Sequence, residues 1–96
     1  MHGEYKMPGG KLVVVDLALR DGRFAGVQLS GDFFLEPDAA LPAINAALDG
    51  RAVDSDDVAL VAAIDTALPA GTTMYGISSA AIVVTLRRAL HEGAPA

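Results

Sequence analysis

Few residues in this chain have the types and spacing for chemistry. Pro8-Gly9-Gly10-Lys11 is the nearest approach to a phosphate-cradling loop. It lacks the second glycine followed by Lys and Ser/Thr that a P-loop uses, and it leads into an extended segment, so no helix N-terminus points at an anion. Asp32-Phe33-Phe34 is the most distinctive local cluster. Neighbours in an extended segment point to opposite faces, so one small core is not expected to take both phenylalanines. Asp32 suits the turn before them. His2 and His91 lie near opposite ends; a zinc site of His and carboxylates stays open, but no spacing supports it. His91 fits the negative end of a helix, and the pair Asp56-Asp57 fits a helix start. No nucleophile elbow is present, so a self-sufficient active site is not expected.

Composition narrows the classes further. The chain has no cysteine, which removes disulfides, thiolate nucleophiles, Cys-ligated zinc and Fe–S ligation by this chain. Its 96 residues are 52% hydrophobic and 20% charged, with net charge −5. That is the composition of one small globular domain, and its charge has the wrong sign for a phosphate backbone. The acids concentrate in the middle: residues 31–65 carry eight of them against Arg51 alone. No run approaches the roughly 18 apolar residues of a membrane helix. The opening Met1-His2-Gly3-Glu4 has no basic stretch feeding an apolar one, so a cytoplasmic protein without a signal peptide is expected.

The elements that must position these residues follow from periodicity. Residues 1–10 read as an irregular arm. Residues 11–19 and 24–30 alternate as two strands of a hairpin. A three-residue loop Arg20-Asp21-Gly22 with a G1 bulge pairs Val15 with Val27 and Val13 with Leu29, whereas a two-residue Asp21-Gly22 turn would set apolar positions beside polar ones. Residues 33–35 suit a short third strand. Helices alone are expected beyond Pro37. The first begins at Pro37 or Asp38 and ends near Asp49, with Gly50 after it and Pro42 near its first turn. The second is capped by Asp54 and carries Leu60, Val61, Ile64 and Leu68. The third is capped by Ser78 or Ser79, carries Ile82, Val83, Leu86 and Leu90, and ends at Gly93. Segregated strands and helices indicate an α+β fold with a small antiparallel sheet against three helices. Residues 11–93 form its single domain, and residues 94–96 read as a tail or linker.

Gly10-Lys11-Leu12, Ser30-Gly31-Asp32-Phe33-Phe34 and Tyr75-Gly76-Ile77 resemble the small accessory domain of lipoate–protein ligases. In bacterial members this domain follows the catalytic domain, and in some archaea it is a separate subunit. Gly31-Asp32-Phe33-Phe34-Leu35-Glu36-Pro37 and Ile44-Asn45-Ala46-Ala47-Leu48 resemble a domain at the N-terminus of actinobacterial ligase-family proteins. The resemblance spans residues 2 to about 90. It implies a fold of the SufE/NifU group, without the cysteines that iron–sulfur members use. It also implies a role beside a separate catalytic domain that converts lipoate and ATP to lipoyl-adenylate and then acylates a lysine of an acceptor protein. On this reading the chain alone binds no cofactor and has no ligase activity. Gly9, Gly10, Lys11, Asp32, Phe33 and Phe34 are the expected contacts to the partner domain or the adenylate. Lys11 either pairs with Asp32 to hold the bend or reaches the adenylate phosphate. The alternative is a stand-alone binding module of the same fold, serving another acyl- or biotin-type ligase or acting as a homodimer.

Overall fold

Asp21-Gly22 closes the hairpin in two residues, both left-handed (φ 53° and 74°), the twist that suits a tight β-turn. It joins strands Leu12–Arg20 and Phe24's strand, Arg23–Gly31. The computed structural model describes residues 1–9 and 11–92. The three-residue loop expected from the sequence is therefore incorrect. Leu19 pairs with Phe24 and Ala18 with Ala25. The mismatch this would propagate is cancelled further along. Leu17 faces both Gly26 and Val27, and beyond that bulge Val15 pairs with Leu29. Gly26 supplies the left-handed residue of the bulge, at φ 61°. Val13, Val15, Leu17, Val27 and Leu29 are all buried as a result.

Among the described residues, eight elements follow in chain order: β1 (His2–Lys6), β2 (Leu12–Arg20), β3 (Arg23–Gly31), β4 (Phe34–Glu36), α1 (Ala40–Leu48), α2 (Asp57–Ala67), β5 (Thr73–Tyr75) and α3 (Ser79–Glu92). The fold is α+β, with two small antiparallel sheets and three helices. Strand β1 corrects the expected irregular arm: it pairs with β2 along its whole length, in a sheet of order β1-β2-β3. Its inward positions are Gly3 and Tyr5, so it lacks the apolar alternation that marks a strand. Gly3 lets α3 come down onto the sheet; a Cβ there would lie 2.3 Å from the Ala89 nitrogen and 2.5 Å from the Thr85 carbonyl oxygen.

The short third strand exists one residue later than expected, as β4. It joins not the hairpin but β5, in a separate two-stranded sheet. The expectation of helices alone beyond Pro37 thus fails at Thr73–Tyr75. Helix α1 packs on β3, α3 packs on β1 and β2, and α2 lies against α1 and α3. Ile44 and Leu48, Leu60 and Ile64, and Ile82 and Leu86 carry the three helices into one core with the sheet. The cap of α2 is Asp56, whose carboxylate accepts from the Ala59 N–H at 2.7 Å, and not Asp54. Ser78 caps α3 through the Ala81 N–H. Gly93, expected to end α3, and residues 94–96 lie outside the described residues.

Candidate partner-binding site

The turn between β1 and β2 is closed by the Met7 N–H donating to the Lys11 carbonyl at 2.7 Å. Gly9 sits exposed in it at φ 96°, and Gly10 lies outside the described residues. Lys11 then enters β2 with its side chain exposed. At the matching end of β3, the Asp32 N–H donates to the Leu12 carbonyl at 3.0 Å. Gly31 at φ 145° makes that approach possible, since a Cβ would lie 2.1 Å from the Leu12 oxygen. The bend is therefore held by backbone. The ion pairs among the described residues join His2 to Glu4 and Asp16, and Arg87 to Asp57. Lys11 is not paired with Asp32. Instead its aliphatic stem lies on Gly76, where a Cβ would come within 2.5 Å of Lys11 Cγ.

The two phenylalanines divide as alternation requires. Phe33 is half-buried against the core, while Phe34 is 68% exposed. Phe34 stands opposite Tyr75 in the β4–β5 register, and Tyr75 is 57% exposed. Directly opposed side chains in an antiparallel pair lie close enough to touch. The structure thus brings Gly9, Lys11, Asp32, Phe33 and Phe34 to one end of the molecule and adds Tyr75 and Gly76. The sequence reading did not place those two in the site. The period-two signal of Thr73-Met74-Tyr75 is only three residues long, between Gly71 and Gly76.

What this end can do is bind. Lys11 offers a cation on a stem steadied by Gly76, and two aromatic faces stand in water beside it. Aromatic side chains carry large apolar area at low entropic cost and dominate interface energetics. The ion pairs lie elsewhere. His2 places Nε2 2.6 Å from a Glu4 carboxylate oxygen and Nδ1 2.7 Å from one of Asp16. Those two carboxylates, Glu4 foremost, raise its pKa to about 9. Among the described residues no group of three or more His, Cys, Asp or Glu side chains could hold a metal ion. Arg87 does not point along α3. It turns toward α2, donating to Asp57 at 2.9 Å, to the Val53 carbonyl at 3.1 Å and to the Ser55 carbonyl. Arg88 lies 4.9 Å over the Tyr5 ring and donates to the Glu4 carbonyl. No helix among the described residues is long and apolar enough to cross a membrane.

No family model matches the chain, and no curated protein does. A solved structure does. It comes from an archaeal lipoylation system of Thermoplasma acidophilum, described as a bi-partite lipoate protein ligase and its E2 lipoyl domain. The TM-score is 0.68 at 22% identity, over 91% of this chain and 98% of that one. At this identity the likeness is one of fold, and the two chains are of nearly equal length.

Proposed function

We propose that this chain is the accessory domain or subunit of a lipoate–protein ligase. In this role it packs on a separate catalytic domain, in the same chain or as another subunit, and supports ATP-dependent formation of lipoyl-adenylate. The observation that carries the reading is a fold shared, over 91% of this chain, with a chain of similar length from a two-part ligase system. The site is consistent with it: an exposed Phe34–Tyr75 pair beside Lys11 suits a face that closes on a partner. Closing a small domain over an acyl-adenylate excludes water and completes the donors around the phosphate. Lys11 and the backbone at Gly9-Gly10 are the candidate donors, and Phe34 and Tyr75 the apolar anchors. ATP and lipoate belong to the complete ligase, which works in the cytoplasm and hands the acyl group to acceptor proteins. The chain alone binds neither.

The test is reconstitution with a catalytic lipoate–protein ligase chain from the same organism. Pyrophosphate release and lipoyl-adenylate are measured with and without the 96 residues. The expected outcome is adenylation that depends on their addition and is lost in Lys11→Ala with the melting temperature unchanged. Adenylation by the 96 residues alone, or indifference of the catalytic chain to their presence, overturns the reading.

A further inference from the structure

Helices α2 and α3 run antiparallel, tied at both ends. Ser79 Oγ donates to the Asp65 carboxylate at 2.5 Å, and Arg87 pairs with Asp57 at 2.9 Å. Between the ties their outer surface is apolar. Val58 of α2 is 78% exposed and Val84 of α3 is 39% exposed, with Val61 half-buried between the helices. Val84 lines an open groove of about 560 Å³, and Val58 and Val61 line an adjoining one of about 350 Å³. Neither groove belongs to the Lys11–Phe34–Tyr75 end. A β-branched residue on a solvent-facing helix position gives up helix propensity and gains no burial in return. Two of them side by side form a surface that an occupant would repay.

The charges around this surface indicate which occupant. Arg88 and His91 lie at the end where α2 begins, and Asp65 lies at the other end. Arg87 and Asp57 neutralise each other between them. Along the lining of the two grooves the charges left over are therefore Arg88, beside His91, at one end and Asp65 at the other, with an apolar middle, so a half-turn sets opposite charges over one another. That is the requirement of an isologous two-fold contact. The whole chain carries −5, whereas Asp57, Asp65, Arg87 and Arg88 on this face balance. Contact through this balanced lining brings no excess of one sign directly together.

We propose that a second copy of this chain docks on the α2–α3 face, valines against valines, with Asp65 of each copy over Arg88 and His91 of the other. The test is sedimentation equilibrium of the purified chain from about 10 μM to about 1 mM, a range that brackets weak specific association. A concentration-dependent dimer is expected. Val58→Asp, at an exposed position, should raise its dissociation constant at least about tenfold while the melting temperature stays put. Asp65→Lys and Arg88→Glu should each weaken self-association, and their mixture should form a heterodimer because both cross-pairs are again opposite in sign. A chain that stays monomeric throughout overturns the proposal, as does a dimer indifferent to Val58→Asp. If Val58→Asp weakens binding of a ligase partner while the chain alone is monomeric, the face belongs to that partner and the proposal fails. The self-association readouts do not depend on the ligase reading.

Discussion

Replacing Gly3 by alanine tests the packing of β1 beneath α3 in a way that few substitutions allow. Gly3 does not occupy the left-handed region, so its backbone conformation suits any residue and only crowding is at issue. The new methyl would sit 2.3 Å from the Ala89 nitrogen, 2.5 Å from the Thr85 oxygen and 2.8 Å from the Ala89 Cα. Ordinary contacts begin about 1 Å further out, and no rotamer change moves backbone. The strand and helix must separate, which opens gaps on either side; a gap of 0.5–1 Å forfeits roughly a quarter to a half of a dispersion contact. Overpacking of this kind costs about 3 kcal/mol at the upper end of its usual range, and the stiffer unfolded chain returns about 0.7 kcal/mol, leaving about 2 kcal/mol. For a domain of this size that is a fall in melting temperature of roughly 8–16 °C. Thermal melts followed by circular dichroism measure it, with the exposed Lys6→Ala as a control expected within about 0.5 kcal/mol of the parent. A Gly3→Ala protein melting within about 2 °C of the parent would refute the close approach and with it the docking of β1 as described.

Other perturbations separate the roles assigned above. Phe34→Ala and Tyr75→Ala should each weaken binding to the catalytic partner by about 2 kcal/mol, close to thirtyfold, with little change in melting temperature. Phe33→Ala should do the reverse, lowering stability, because its ring packs on the core; calorimetric titration and melts of the three variants distinguish the patterns. His2 carries a pKa raised from 6.5 to about 9 by Glu4 and Asp16, so its contribution to stability is full below pH 6.5 and lost as pH rises through about 9. Imidazole NMR titration and melts between these limits check it: His2→Gln should flatten that part of the profile, and an imidazole titrating near 6.5 would contradict the clamp. Arg87→Ala removes donors to the Val53 and Ser55 carbonyls and the partner of Asp57, and should cost about 2 kcal/mol by denaturant unfolding. A loss indistinguishable from Ala substitution at an unpaired surface arginine would argue that these bonds are exchanged freely for water.

The elements with strong periodicity were legible in the sequence. Val13, Val15 and Leu17 announced β2, and Ile82, Val83 and Leu86 announced the buried face of α3. What escaped lacks a periodic apolar signal. Strand β1 is defined by a glycine under a helix, not by an apolar stripe, and β5 is too short to stand out from its turn residues. The hairpin register was reasoned from the right demand, one buried face, but the irregularity that meets it sits inside β3 at Gly26 and not at the turn. The same holds at the candidate site. Alternation alone foretold that one phenylalanine would point inward and the other outward. The pairing of Phe34 with Tyr75, 41 positions away, is a tertiary fact with no local trace. Of the two roles left open for Lys11, pairing with Asp32 is absent: the backbone already closes that bend, and Gly76 leaves room for the lysine stem.

Strands β4 and β5 flank the stretch of chain that holds α1 and α2, and their three-residue ladder joins its two ends. The aromatic pair is thus also a clasp at the neck of a helical excursion. A ligand that holds Phe34 and Tyr75 together holds that neck shut, and by mass action it raises the free energy of every opening that must first part the two strands. Wherever α1 and α2 open by that route, occupancy at the rim would raise their amide protection. Conversely, whatever loosens the helical pair loosens the clasp and weakens binding at its face. Were a partner to bind at this end, its affinity and the cohesion of the two helices would be a single thermodynamic quantity observed from two places.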